Sequence, residues 1–109
     1  MEVVMYKILR YLYECMKAGK RPVMEDMNPC GKLGRINESY WKMIMRELIE
    51  HEYIKDFTII HHKGVDAVMM GDNPRISLEG VQFMNENSGM QKAAKFAGDA
   101  FEILLSTLL

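Results

Sequence analysis

The amino-acid sequence predicts one mainly helical α+β domain that contains a β-hairpin. The chain has 109 residues, of which 49% are hydrophobic and 27% charged, a size and composition typical of a single globular core. Most apolar residues recur at spacings of three and four, which is typical of helices. Between residues 53 and 70 the pattern changes to β-branched and aromatic residues on either side of a glycine, which indicates two paired strands.

The N-terminal third is predicted to hold one long and one short helix. The first runs from Val4 to Met16, because its apolar residues form one helical stripe, and Gly19 follows where a left-handed C-terminal cap is common. We expect Pro22 in the first turn of a short helix that reaches Met27. Asn28-Pro29 then ends that helix, since the residue before proline avoids helical angles.

The middle of the chain predicts a helix followed by the hairpin. Asn37 is a good N-cap for a helix that extends to about Glu52. The apolar face of this helix comprises Trp41, Ile44, Met45, Leu48 and Ile49. Strands are expected over residues 53–60 and 65–70, with residues 61–64 as a polar tip and residues 71–74 as a turn.

The last third predicts two further helices. Ser77 caps a helix from Leu78 to about Asn87, with Leu78, Val81 and Met84 expected in the core. Ser88 and Gln91 form a capping box that begins a final helix over residues 88–109. The seam of that helix consists of Met90, Ala94, Ala97, Phe101, Leu104 and Leu108.

A winged helix-turn-helix domain with an extra C-terminal helix is the simplest fold that accounts for this order of elements, which is helix, short helix, helix, hairpin and further helix. In that arrangement residues 37–52 form the third helix and residues 54–70 form the wing. Residues 1–109 then make a single domain, in which the helix over 88–109 packs within the chain or forms a dimer.

Three blocks of residues also resemble a known family. They are Tyr6-Lys7-Ile8-Leu9 with Tyr11-Leu12; Glu38-Ser39-Tyr40-Trp41 with Leu48 and Tyr53-Ile54; and Arg75-Ile76-Ser77-Leu78-Glu79-Gly80 with Asn85-Glu86-Asn87-Ser88, Met90, Lys92-Ala93 and Phe96. In this order they resemble the YjcQ family of small winged-helix proteins from Firmicutes and their phages. The resemblance implies a winged helix with an extra C-terminal helix and implies no defined activity. Family members usually have glycine before the Tyr-Ile pair, where this chain has Glu52.

Charge and motif content exclude several functional classes. The net charge is −1, whereas dedicated non-specific nucleic-acid binders are usually basic overall. No apolar run reaches the ~18 residues of a membrane span, and the first residues lack the pattern of a signal peptide. We therefore expect a cytoplasmic protein without membrane contact, in which Cys15 and Cys30 are isolated thiols.

No residue pattern indicates an enzyme. The serines occupy capping or surface positions, and no glycine-rich phosphate loop follows a strand. His61 and His62 are adjacent and would point to opposite faces of a strand, which does not suit a metal site. We expect no catalytic residues, no metal, no cofactor and no small-molecule substrate.

The most specific functional hypothesis is binding to double-stranded DNA. Residues 17–46 carry seven basic and three acidic side chains, and a helix of this kind fits the major groove. The residues expected to contact DNA are Arg35, Ser39, Lys42, Met43, Arg46, His61, His62 and Lys63. The alternative is a protein-interaction module that uses the apolar C-terminal helix.

The apolar seam of the final helix leads us to expect a homodimer. Six apolar residues from Met90 to Leu108 are more than one three-helix core needs, and leucine side chains are costly to leave in water. Packing of the same seam against the first helix of the chain is the open alternative.

Overall fold

A computed structural model of the chain describes residues 1–29 and 36–108. Within these ranges the chain forms six helices and one antiparallel hairpin, which confirms the predicted α+β class. The elements are α1 (Glu2–Ala18), α2 (Met24–Met27), α3 (Glu38–Glu50), β1 (Ile54–His62), β2 (Val65–Ile76), α4 (Leu78–Glu86), α5 (Ser88–Lys95) and α6 (Asp99–Ser106). None of the described helices is long and apolar enough to cross a membrane.

Helix α1 lies at the centre of the core; it extends two residues further at each end than predicted, and the predicted C-terminal cap at Gly19 is confirmed. Gly19 adopts the left-handed conformation (φ 68°) directly after the helix, which glycine does without steric cost. Pro22 lies before α2 rather than in its first turn, because α2 begins at Met24. The hydroxyl of Tyr11 in α1 donates to Asp26 in α2 over 2.8 Å, so this one-turn helix is fastened to α1.

Helix α3 begins as predicted and ends two residues early. The side chain of Asn37 accepts a hydrogen bond from the backbone N–H of Tyr40, as expected of an N-cap. The helix ends at Glu50, and Glu52 adopts a left-handed conformation with φ 59°. The N–H of Tyr53 reaches back to the carbonyl of Leu48 over 3.0 Å, which is the closing bond of a Schellman-type helix end.

The hairpin has a tighter tip and a longer second strand than predicted. His61 and His62 belong to β1, so the loop contains only Lys63 and Gly64, both with positive φ (51° and 77°). Two positive φ angles in a two-residue loop match the right-handed twist of the strands. Residues 71–74 form a bulge within β2 opposite Asp56, instead of the predicted turn.

Contacts from distant parts of the chain hold this bulge in place. The guanidinium of Arg21 donates to the carbonyls of Gly71 and Asp72, each over 2.8 Å. The carboxylate of Asp56 accepts from the N–H of Asn73. These partners satisfy backbone groups that the strand ladder leaves unpaired, which is why the chain does not turn here.

Helix α4 is capped as predicted, and of its three predicted core residues Met84 is buried and Val81 packs on the core, whereas Leu78 does not. Ser77 accepts from the N–H of Gly80 and donates to the carbonyl of Glu52 over 2.6 Å. A side chain at Gly80 would have its Cβ 2.2 Å from the carbonyl oxygen of Tyr53, so this side of the helix packs directly on backbone. Leu78 lies two residues away on the opposite side and is 71% exposed, so its predicted burial is wrong.

The single helix predicted over residues 88–109 is two helices. Gly98 has φ 91° and separates α5 from α6. The N-cap of α5 is Asn87, whose side chain accepts from the N–H groups of Gly89 and Met90, so the predicted capping box at Ser88 is also wrong. Both helices pack against α1, and the rings of Phe101 and Tyr6 meet edge to face at 6.2 Å.

Candidate nucleic-acid interface

The exposed face of α3 carries the residues that the sequence predicts for DNA contact. Ile44, Met45 and Leu48 are buried, and this anchors one side of the helix. Ser39, Met43 and Arg46 are exposed on the other side, and Lys42 is half-buried. Arg35 lies outside the described residues.

Asp66 of β2 joins the hairpin to α3. Its Oδ2 accepts from Nη2 of Arg46 over 2.8 Å, and its Oδ1 accepts from Nδ1 of His61 on the neighbouring strand. The hydrogen bond from His61, together with the charge of Arg46, lowers the pKa of Asp66 below its ordinary value, so this carboxyl group is ionised at neutral pH. Helix and hairpin therefore form one continuous surface.

These pairings leave the surface only weakly positive. Lys42 Nζ lies 3.5 Å from Glu38 Oε1, and Arg46 shares the carboxylate of Asp66. At the tip, His62 and Lys63 are exposed, and among the described residues neither side chain has a hydrogen bond or ion pair. Apart from its histidines, the surface presents the cations of Lys42, Arg46 and Lys63 and the carboxylates of Glu38 and Asp66, so any attraction for phosphate is modest.

Asp66 is the residue that sequence reasoning missed. A two-residue loop at Lys63-Gly64 places His62 opposite Val65 and His61 opposite Asp66. Recognition of that loop from the sequence would have revealed the histidine–aspartate pair. With the four-residue tip predicted from the sequence, His61 is not part of a strand and is not paired with Asp66.

The outer face of the hairpin is apolar. Side chains alternate between the faces of a strand, and the register places Ile60 opposite Ala67 and Thr58 opposite Met69. Ile60, Val65 and Met69 are among the most exposed large hydrophobic residues of the described chain. His62, opposite Val65, lies on the same face, which carries no lysine or arginine side chain among these described residues.

The residues predicted to form a dimer seam lie against the chain's own core. Met90, Ala97 and Phe101 are buried, and Ala94, Leu104 and Leu108 are half-buried and pack on the same core. This is the intrachain packing that the sequence analysis leaves open. The described residues contain no group of three or more His, Cys, Asp or Glu side chains that could hold a metal ion.

Comparison with known proteins identifies the family. No curated protein and no solved structure shows significant similarity to the chain. A family model described as "YjcQ protein" matches residues 6–100, which include every described helix and strand except the start of α1 and most of α6. The match agrees with the three blocks of residues in the sequence, and the chain belongs to the YjcQ family.

Proposed function

We propose that this protein is a non-catalytic DNA-binding protein of the winged-helix type, which contacts duplex DNA with α3 and the hairpin tip. The observation that carries the proposal is the packing of α3 on both strands of the hairpin, with Ser39, Met43 and Arg46 exposed on the outer side of the helix. This packing places a helix with an exposed polar face beside a hairpin tip, and a helix presented in this way can enter the major groove. A pre-formed surface of this kind loses little conformational entropy on binding.

The dimensions and side chains of α3 suit the major groove. Thirteen residues span about 20 Å, and a helix of ordinary diameter fits that groove. Ser39 and Met43 would face base edges, where a hydroxyl can donate or accept and a thioether can contact a thymine methyl group. Lys42, Arg46 and Lys63 would approach phosphates.

The test is a salt titration of binding to a mixed-sequence duplex, measured by fluorescence anisotropy. About three phosphate contacts predict a slope of log affinity against log salt near −3. Arg46→Ala and Lys63→Ala should each weaken binding about three- to tenfold and reduce the slope by about 1. Their melting temperatures should stay close to that of the wild type, because exposed positions contribute little to stability.

Lys17→Ala is the matched control. It also removes one positive charge, but Lys17 lines a groove between α1, α4 and α5 and pairs with Glu14 at 3.2 Å. Equal weakening by Lys17→Ala and Arg46→Ala would overturn the assigned face. Salt-independent binding, or no binding at low salt, would overturn DNA binding itself.

Asp66→Asn tests whether the aspartate limits affinity. The variant removes a carboxylate that repels phosphate and releases Arg46, so binding should tighten about threefold. Exposed ion pairs contribute about 0–1 kcal/mol, so the melting temperature should change little. Weaker binding by this variant would contradict the expectation that Asp66 lowers the affinity for DNA by repelling phosphate and by pairing with Arg46.

A protein-interaction module is the second candidate, and the apolar outer face of the hairpin favours it. Exposed apolar patches on small domains commonly mark partner sites. The salt titration separates the two candidates. The affinity for a protein partner that covers an apolar face does not fall steeply with salt, whereas the affinity for DNA does.

A further inference from the structure

The junction of α5 and α6 exposes two large apolar side chains. Phe96 is 74% exposed and Ile103 is 65% exposed, although neighbours such as Ala97 and Phe101 are buried. Phe96 directly follows α5, and Ile103 lies on the outer side of α6, away from the face that packs on α1. Side chains of this size normally leave water when they can.

The charged residues around these two side chains are separated by sign, with the basic ones in α5 and the acidic ones in α6. Lys92 and Lys95 lie in the last turn of α5, and Asp99 and Glu102 lie in the first turn of α6. All four side chains are exposed, and none has an ion pair or hydrogen bond within the part of the chain that the structure describes. The left-handed Gly98 stands between the basic and the acidic pair.

We propose that this junction, residues 92–103, is a homodimer surface on which a second copy of the chain packs in antiparallel orientation. A two-fold axis near Gly98 would place the basic end of each α5 against the acidic start of the partner's α6. Both lysines and both carboxylates would then find partners, and Phe96 and Ile103 would be covered. A partner of a single charge sign would leave half of the charges unmatched, so the pattern favours a second copy.

The proposal is independent of DNA binding and is tested by the mass of the full chain in solution. Sedimentation velocity from low micromolar to near-millimolar concentration should show the mass rise from 12.7 kDa toward twice that value. Phe96→Ser should raise the dimer dissociation constant at least tenfold. Leu78→Ser is the control, because Leu78 is equally exposed but lies on α4, and it should leave the dissociation constant unchanged.

Charge reversal tests the pairing directly. The variants Lys92→Glu/Lys95→Glu and Asp99→Lys/Glu102→Lys should each be monomeric, because each would bring like charges together across the axis. An equimolar mixture should form a heterodimer, in which every Glu faces a Lys. Circular dichroism confirms that each variant retains its helices.

Three results would overturn the proposal. One is a wild-type chain that stays monomeric at every concentration. Another is a wild-type dimer that Phe96→Ser and Leu78→Ser weaken equally. The third is a mixture of folded charge-reversed variants that remains monomeric.

Discussion

Among the described residues, Glu14 in α1 is the one charged side chain that is buried. It is 8% exposed, and its carboxylate accepts from Nε of Arg10 over 2.8 Å and lies 3.2 Å from Nζ of Lys17. Arg10 also donates to the hydroxyl of Tyr6 over 2.7 Å. Burial acts to raise the pKa of Glu14, but the hydrogen bonds from Arg10 and Lys17 outweigh it and hold the pKa below its ordinary value of 4.5.

Replacement of Glu14 by Gln should therefore destabilise the protein in a pH-dependent way. At neutral pH we expect a loss of about 1–2 kcal/mol in the free energy of unfolding, because the charge-assisted hydrogen bonds weaken. Since the pKa is lower in the folded chain, the stabilisation is present above the ordinary pKa and disappears as the pH falls through the folded pKa.

Urea unfolding at several pH values measures this difference. The gap between wild type and Glu14→Gln should close at acidic pH. Glu86→Gln, at an exposed position on α4, should follow the wild type throughout. A gap that keeps its full size at acidic pH would show that the cost of Glu14→Gln does not come from the charge.

Among the helices and strands, α3 ends at a position where the residue type does not suit the backbone conformation. The Schellman-type bond from Tyr53 to Leu48 requires a left-handed residue at position 52. Glycine adopts that conformation without steric cost, yet Glu52 occupies it. Its side chain gains only an exposed 3.4 Å contact with Lys55, which contributes little.

Glu52→Gly should accordingly stabilise the protein by about 0.5–1 kcal/mol, because relief of left-handed strain exceeds the entropy that glycine adds to the unfolded chain. Thermal unfolding monitored by circular dichroism measures the change. Glu50→Gly, at the last residue of the helix, where φ is negative, should instead destabilise the protein by about 0.5 kcal/mol. Destabilisation by both variants would contradict the strain at Glu52.

At the scale of the whole molecule, α6 completes the core that α1 begins. Phe101 is 2% exposed and meets Tyr6 edge to face, with Nζ of Lys7 placed 5.9 Å from its ring centroid. Leu105 is also buried in the same cluster. The C-terminal helix is therefore part of the intrachain core on one side and exposes Ile103 on the other.

Phe101→Ala should cost about 3–5 kcal/mol, because it removes an aromatic ring from a packed core and leaves a cavity. Ile103→Ala should cost less than ~0.5 kcal/mol at concentrations where the chain is monomeric. Urea unfolding at two protein concentrations measures both variants. A cost for Phe101→Ala that varies with protein concentration would indicate that its ring packs between chains.

Local residue patterns are sufficient to identify most of the helices and strands. Spacing of apolar residues located α1, α3 and α4, and the caps at Gly19, Asn37 and Ser77 are confirmed. These features depend on residues within a few positions of one another, so local patterns reveal them. The exposed polar face of α3 followed from the same periodicity.

Features that depend on partners far away in the chain become visible only in the folded structure. Residues 71–74 have turn chemistry but remain in β2 because Arg21, about fifty residues earlier, satisfies their carbonyls. Gly80 turns α4 toward the carbonyl of Tyr53, which leaves Leu78 in solvent. The apolar seam continues across Gly98 in sequence, but the helix breaks there so that both halves can pack on α1. Periodicity reports which residues prefer to be buried, whereas the shape of the remaining core decides which of them are.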